Sequence, residues 1–260
     1  MQFRPCIDIH NGKVKQIVGG SLRDVGDTAN ENFVSEQDAA FFANLYKAAG
    51  LKGGHVIMLN SPDSEYFEAT KEQALLALRT YSGGLQAGGG INPDNAGEFL
   101  SAGASHVIVT SYAFKDGVIH FDRLKKLVKA VGKERLVLDV SCRRTENGYK
   151  VVTDRWQKLT GETVDGALLD RLSEYCDEFL IHAVDVEGKA QGIEQELVKM
   201  MGGWNKLPVT YAGGVHSTDD LELIRELGQN RVNFTVGSAL DIFGGNLRWE
   251  EVIKINNKKI

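Results

Sequence analysis

A chain of 260 residues, 42% hydrophobic and 25% charged, has the makeup of a globular protein with a large core. Lys and Arg total 30 against 35 Asp and Glu, and the net charge of −5 argues against a general nucleic-acid or anionic-membrane surface. No apolar run approaches the ~20 residues of a membrane span, and the polar start Met1-Gln2-Phe3-Arg4-Pro5 does not read as a signal peptide.

Eight short apolar runs occur in order, at residues 6–9, 56–59, 85–87, 107–109, 136–140, 179–181, 209–211 and 234–236. Their apolar, β-branched content suits parallel strands covered on both faces. Amphipathic stretches separate most of them. Ser35 with Asp38 reads as a capping box opening a helix over 38–49, with Gly50 as its left-handed stop. Gly103, Gly132 and Gly228 are expected to close helices over 96–102, 121–131 and 219–227 in the same way. Strand–helix alternation repeated eight times predicts an α/β fold, a (β/α)8 TIM barrel. Two stretches fall outside the plan, 18–32 after the first strand and 141–166 after the fifth, where 149–153 suggests a hairpin arm. Both follow carboxyl ends of strands, where barrel enzymes build their sites.

The chain also repeats itself. Asp8 recurs as Asp139, Gly89 as Gly213 and Ser111 as Ser238, in one order and at nearly one spacing. The barrel is therefore read as two tandem half-barrels, about 1–132 and 133–260, within a single domain over 1–260.

The repeated features carry the chemistry. Gln86-Ala87-Gly88-Gly89-Gly90-Ile91 and Tyr211-Ala212-Gly213-Gly214-Val215 each follow a strand and precede a helix start. Glycines there let backbone N–H groups approach an anion, with a helix N-terminus behind them. Gly89 and Gly90 with Thr110 and Ser111 form one predicted phosphate cradle; Gly213 and Gly214 with Gly237 and Ser238 form the other. Asp8 and Asp139 sit inside apolar strands one and five, which stand opposite each other in an eight-stranded barrel. A carboxylate there is costly unless used, and two facing each other across a mouth suit acid–base work on a small molecule. The plainer alternative is that each caps a loop or pairs with Lys13, Arg143 or Arg144. The expected partner is a small molecule with two phosphates. The six histidines show no metal-ligand spacing, so His10, His182 and His216 read as polar rim residues and neither metal nor cofactor is expected. Cys6, Cys142 and Cys176, an odd set without CxxC, suggest free thiols in a reducing, cytoplasmic setting. A monomer is expected.

The run Cys6-Ile7-Asp8-Ile9-His10-Asn11-Gly12-Lys13-Val14, the turn at 88–91, the strand at 107–111, Leu138-Asp139-Val140 and the turn at 212–215 together resemble a family of histidine biosynthesis. It is the phosphoribosylformimino-5-aminoimidazole carboxamide ribotide isomerase family, and the likeness runs from about Arg4 to Phe243. Residues 14–20 and 179–188 look most like its fungal and plant branch. The resemblance implies a cofactor-free Amadori rearrangement of an aminoaldose that carries a phosphate at each end. It implies that Asp8 is the base taking the C2 proton and Asp139 the acid protonating the ring oxygen. For that division Asp139 must stay protonated while Asp8 is ionised. It further implies that Trp156 packs on the substrate and that Gly19 and Gly20 lie in the binding loop. The common bacterial form has an Asp in strand two and a Thr-Asp pair after strand six. This chain has 55–60 and 183–188 without them, so only Asp185 is carried over.

Three other readings compete. The sister cyclase of the pathway shares both aspartates and both turns, but has a lysine where this chain has Gln16. A metal-dependent pentose-phosphate epimerase needs one phosphate site, and a non-catalytic phosphosugar-binding barrel has no need of opposed carboxylates.

Overall fold

Period-two alternation sorts the side chains of each run onto two faces. In β1 (Cys6–His10) Ile7 and Ile9 are buried outward in the main core, leaving Cys6, Asp8 and His10 on the inner face. β5 (Leu136–Thr145) divides likewise: Leu136, Leu138 and Val140 join the outer core, Val137 and Asp139 the interior. The computed structural model describes residues 1–18, 21–23, 25–154, 156–189 and 191–257.

The other barrel strands are β2 (Gly54–Met58), β3 (Leu85–Gly88), β4 (Val107–Val109), β6 (Glu178–Ala183), β7 (Val209–Ala212) and β8 (Asn233–Phe234). Each lies parallel to the one before it, from β1 through to β8. The ends of the row meet. Phe3 bridges Phe234 in parallel, the Arg4 N–H donates to the Phe234 carbonyl at 2.8 Å, and the Phe234 N–H donates to the Gln2 carbonyl at 3.0 Å. The fold is the expected (β/α)8 barrel.

Helices cover the outside: α1 (Ala39–Ala48), α2 (Phe67–Thr80), α3 (Ala96–Ser101), α4 (Phe121–Val131), α5 (Gly166–Leu172), α6 (Gln195–Trp204), α7 (Thr218–Leu227) and α8 (Trp249–Asn257). The predicted Ser35–Asp38 capping box is corrected. Asp38 is itself the cap, accepting from the Phe41 N–H at 3.0 Å, while the Ser35 hydroxyl accepts from the Gln37 N–H. Gly228 ends α7 at φ −80°, and the left-handed residues are the next two, Gln229 and Asn230. There is no room at Gly228 for a side chain, since a Cβ would lie 2.5 Å from the Ile224 carbonyl oxygen.

A small inner cluster of Ile108, Val137, Leu180 and Ala212 fills the middle of the barrel. Below it the buried Glu178 accepts from Arg4, from Gln86 at 3.1 Å and from Thr210 at 3.1 Å. Such multiple donation is what makes a buried carboxylate tolerable. Two antiparallel extensions rise at the other end. Lys13–Ile17 and Glu31–Val34 extend β1; Gly148–Thr153 and Lys158–Thr163 extend β5. The hairpin arm is thus present, and β5 runs to Thr145, beyond the predicted end at 140, because its outer half pairs with that arm. No helix among the described residues is long and apolar enough to cross a membrane.

Candidate active site

Asp8 lies one residue pair above Cys6 on the inner face of β1, partly exposed at the carboxyl end of the barrel. Its Oδ2 accepts from Gln16 Nε2 at 3.2 Å, and the same amide reaches Cys6 Sγ at 3.6 Å. Gln16 is placed by the antiparallel extension that folds back over β1. Burial pushes the Asp8 carboxyl up to about 7; the Glu187 charge adds to the rise, and His182, Gln16 and Cys6 oppose it.

Asp139 has a different setting. Its Oδ1 lies 2.8 Å from His182 Nδ1 and 3.4 Å from the Ser141 hydroxyl, and its Oδ2 accepts from the Thr110 hydroxyl at 3.1 Å. Burial by itself would lower His182, but the charge and hydrogen bond of Asp139, with Glu187 and Asp8 behind, raise its imidazole to about 9. The Asp139 contact thus favours the imidazolium form of His182, in which both ring nitrogens carry protons. Arg143 and Arg144, the sequence-level alternatives for pairing, go elsewhere, to Asp185 and Glu194.

Asp185 is thus taken up at the rim. Its Oδ1 is 3.1 Å from Arg143 Nε and its Oδ2 accepts from the Arg144 N–H at 2.8 Å. The acid that loop six brings to the mouth is Glu187, whose charge is felt by both Asp8 and His182. Burial raises Glu187 too, against the attraction of His182. Sequence reasoning missed it. Two acids two residues apart in one turn look alike until the turn shows which points inward. Trp156 reaches the same spot from the β5 arm, its ring centroid 6.4 Å from that of His182 at 41°. It holds φ +66°, a backbone region that bulky residues rarely adopt.

Of the turn glycines at 89–90 and 213–214, Gly89, Gly213 and Gly214 have no room for anything larger. Gly89 (φ +97°) and Gly213 (φ +128°) would place a Cβ 2.1 Å from the Met58 carbonyl oxygen and 2.8 Å from that of Ala183. Gly214 (φ +74°) would put one 2.0 Å from the Gly192 carbonyl oxygen, and the Gly192 N–H donates back to Gly214 at 3.1 Å. Loop six is therefore seated directly on the second turn. Gly90 is exposed, and at Gly237 a Cβ would lie 2.3 Å from Gln16 Oε1, which ties the second turn region to the Asp8 partner. Ser111 is exposed and Ser238 half-buried, but the Thr110 hydroxyl serves Asp139. The helix starts behind the turns are filled from within. Asp220 and Ser217 close a capping box on α7, and Asn92 and Asn95 bond one another ahead of α3. Among the described residues, the turn amides and the two serines, Ser111 and Ser238, are left without such an internal helix-start partner to fill them. Gly19 and Gly20 lie outside the described residues. A separate cleft of about 530 Å³ at the opposite end, lined by Met1, Arg4, Lys206 and Arg231 among others, contains none of the predicted site residues.

A family profile described as "Histidine biosynthesis protein" matches residues 2–247. The chain belongs to this family. A Medicago truncatula relative is 54% identical over all of this chain and 83% of its own length. It is named 1-(5-phosphoribosyl)-5-((5-phosphoribosylamino)methylideneamino)imidazole-4-carboxamide isomerase, chloroplastic. Relatives from Yarrowia lipolytica, at 46% identity over 99% of this chain and 98% of theirs, and Saccharomyces cerevisiae, at 44% over 99% of each, carry the same isomerase name. Family membership gives the two glycine turns and the two opposed aspartates one common context.

Proposed function

We propose that this protein is the aldose–ketose isomerase of histidine biosynthesis, acting on the bis-phosphorylated N-linked aminoaldose that its relatives' name describes. The observation that carries the reading is the pair of unlike acid–base sites on β1 and β5. Asp8, raised to about 7, is a base matched to neutral pH, and Asp139 is bonded to an imidazolium. A proton passes to the ribose ring oxygen as its bond to C1 breaks, leaving a C1=N iminium. Asp8 then takes the C2 proton, and the C–H electron pair forms the C1=C2 enolamine. Proton return to C1 and loss of the C2 hydroxyl proton give the ketose, so the overall change is an isomerisation.

The acid is assigned to the Asp139–His182 pair. Asp139 accepts hydrogen bonds on both oxygens, and the available proton sits on His182 Nδ1, 2.8 Å away. The glycine turns at 89–90 and 213–214, with Ser111 and Ser238, hold the two phosphates, and Trp156 covers the ring. Gln16, placed on Asp8 where the sister cyclase has a lysine, favours the isomerase. The protein is further proposed to work as a monomeric single-domain barrel of two half-barrels. A reducing, cytoplasmic compartment is supported by three buried free thiols.

The test is turnover of the aminoaldose ribotide by purified protein, with and without EDTA. Conversion to the ketose, undiminished by chelator, supports the assignment. A folded protein that leaves the aminoaldose untouched but consumes the ketose with ammonia is the cyclase instead.

A further inference from the structure

The inner face of β1 and β2 carries a donor set that the proposed isomerisation does not use as a set. Cys6 and Asp8 are two residues apart on β1 and so share a face, and Cys6 is in register with His55 of β2. The Cys6 sulfur, an Asp8 oxygen and a His55 ring nitrogen all lie within 4.8 Å of one another. Tetrahedral zinc sites hold such atoms ~3.5 Å apart, so the three need only close in by about an ångström. His55 is buried, and burial lowers its imidazole to about 3, so the ring is neutral and able to act as a ligand. The Gln16 amide already bridges two of the three, donating from one nitrogen to Cys6 Sγ and Asp8 Oδ2.

We propose that Cys6, Asp8 and His55 bind a borderline-soft divalent cation of the zinc and cobalt class, and that occupation inhibits the isomerase by capturing Asp8. The inhibitory half rests on the proposed role of Asp8 as the base. A thiolate and an imidazole select this class over magnesium or calcium, which prefer oxygen ligands. Three protein ligands leave a fourth position for water. Binding breaks the Cys6 S–H bond, forms the metal–sulfur bond and releases the proton to solvent. The cation supplies opposite charge to the buried thiolate and adds to that of His182 at the carboxylate. Asp8, the partly exposed member of the three, is the side from which the ion enters.

The test is titration of the purified full-length protein with Co²⁺, followed by absorbance and by isomerase turnover. Expected are a near-ultraviolet sulfur-to-cobalt charge-transfer band saturating at one equivalent, its loss when Zn²⁺ is added, and turnover falling in parallel with occupancy. Cys6→Ser should lose the band, and whatever its metal-free turnover, added Co²⁺ should not lower it; His55→Gln should bind much more weakly. Thermal melts of both variants confirm folding. Absence of the band in the wild type, or a band that persists in Cys6→Ser, overturns the site. Full turnover of the cobalt-loaded wild type overturns the inhibition. Metal-free Asp8→Asn separates the two readings. If it is inactive while the cobalt-loaded wild type works, the cation inference fails; if it is active, the base assignment fails.

Discussion

Asp8 and Asp139 occupy corresponding points on β1 and β5, yet their surroundings differ. Asp8 has one amide at 3.2 Å, a thiol below it and the charge of Glu187 nearby. Asp139 has His182, Thr110 and Ser141 all donating. One carboxyl is thereby moved toward neutrality and the other is fixed beside a cation. The strand position sets where each carboxylate stands, and the neighbours set what it can do with a proton. The sequence-level division asked for a protonated Asp139 and an ionised Asp8. Asp139 instead accepts from Thr110 and lies 2.8 Å from His182 Nδ1, which is why the proposed acid function is assigned to the pair.

The largest expected effect comes from removing the carboxylate whose pKa is tuned. Asp8→Asn should lower turnover by ~10²–10⁴, the worth of a positioned base, while binding of the bisphosphate product by calorimetry stays near wild type. Near-normal turnover would remove the distinction between the two sites.

Next comes the partner that makes Asp139 unlike Asp8. His182→Gln should cost about 10²-fold in kcat/KM and change the pH profile. In the wild type kcat/KM should rise as Asp8 ionises through about 7 and fall as His182 loses its proton through about 9. The variant should lack the alkaline fall. Stability carries the same signature. The folded pKa of His182 lies above its ordinary 6.5, so its stabilisation is full below pH 6.5 and is lost as pH rises through about 9. Urea unfolding of wild type and variant should therefore differ by about 1.5–3 kcal/mol at acid pH, and the gap should shrink on the alkaline side. A gap independent of pH would mean that the pair is a packing contact.

The two glycine turns offer a milder contrast. Gly214→Ala meets the Gly192 carbonyl oxygen at 2.0 Å, whereas Gly90→Ala has nothing nearer than Pro62 Cγ at 3.9 Å. Both carry positive φ, so both should lose about 1–3 kcal/mol to backbone strain, and Gly214→Ala should lose more. Displacement of loop six should also raise its KM about tenfold, as read from initial rates. Equal effects at both positions would show that the seat of loop six does not matter to binding.

The smallest effect tests the charge behind Asp8. Glu187→Gln should move the acid limb of kcat/KM to lower pH by under about one unit, because the repulsion that helps raise Asp8 is removed. An unmoved limb would leave burial as the whole cause.

The barrel, its strand order and the two aspartates were legible in the chain. Apolar runs of the right length, glycine stops and recurring Asp and Gly positions are local features, and backbone geometry turns them directly into strands and turns. The carboxyl-end position of both aspartates follows from which strands carry them. What the chain did not reveal were the partners. His182 was read as a rim residue, Thr110 as a phosphate ligand and Asp185 as the loop-six acid; none of their partners is near in sequence. Asp139 meets His182 only because β6 lies beside β5, and Asp185 meets Arg143 and Arg144 only because the β5 extension rises next to loop six. The Cys6–Asp8–His55 cluster likewise needed the register of β2 on β1. Identity and period are properties of the chain, so the sequence by itself determined the scaffold and the place of its two carboxylates. Proton affinity depends on burial and on charges brought from distant residues, so only the tertiary structure decided in which direction Asp8 and His182 are shifted.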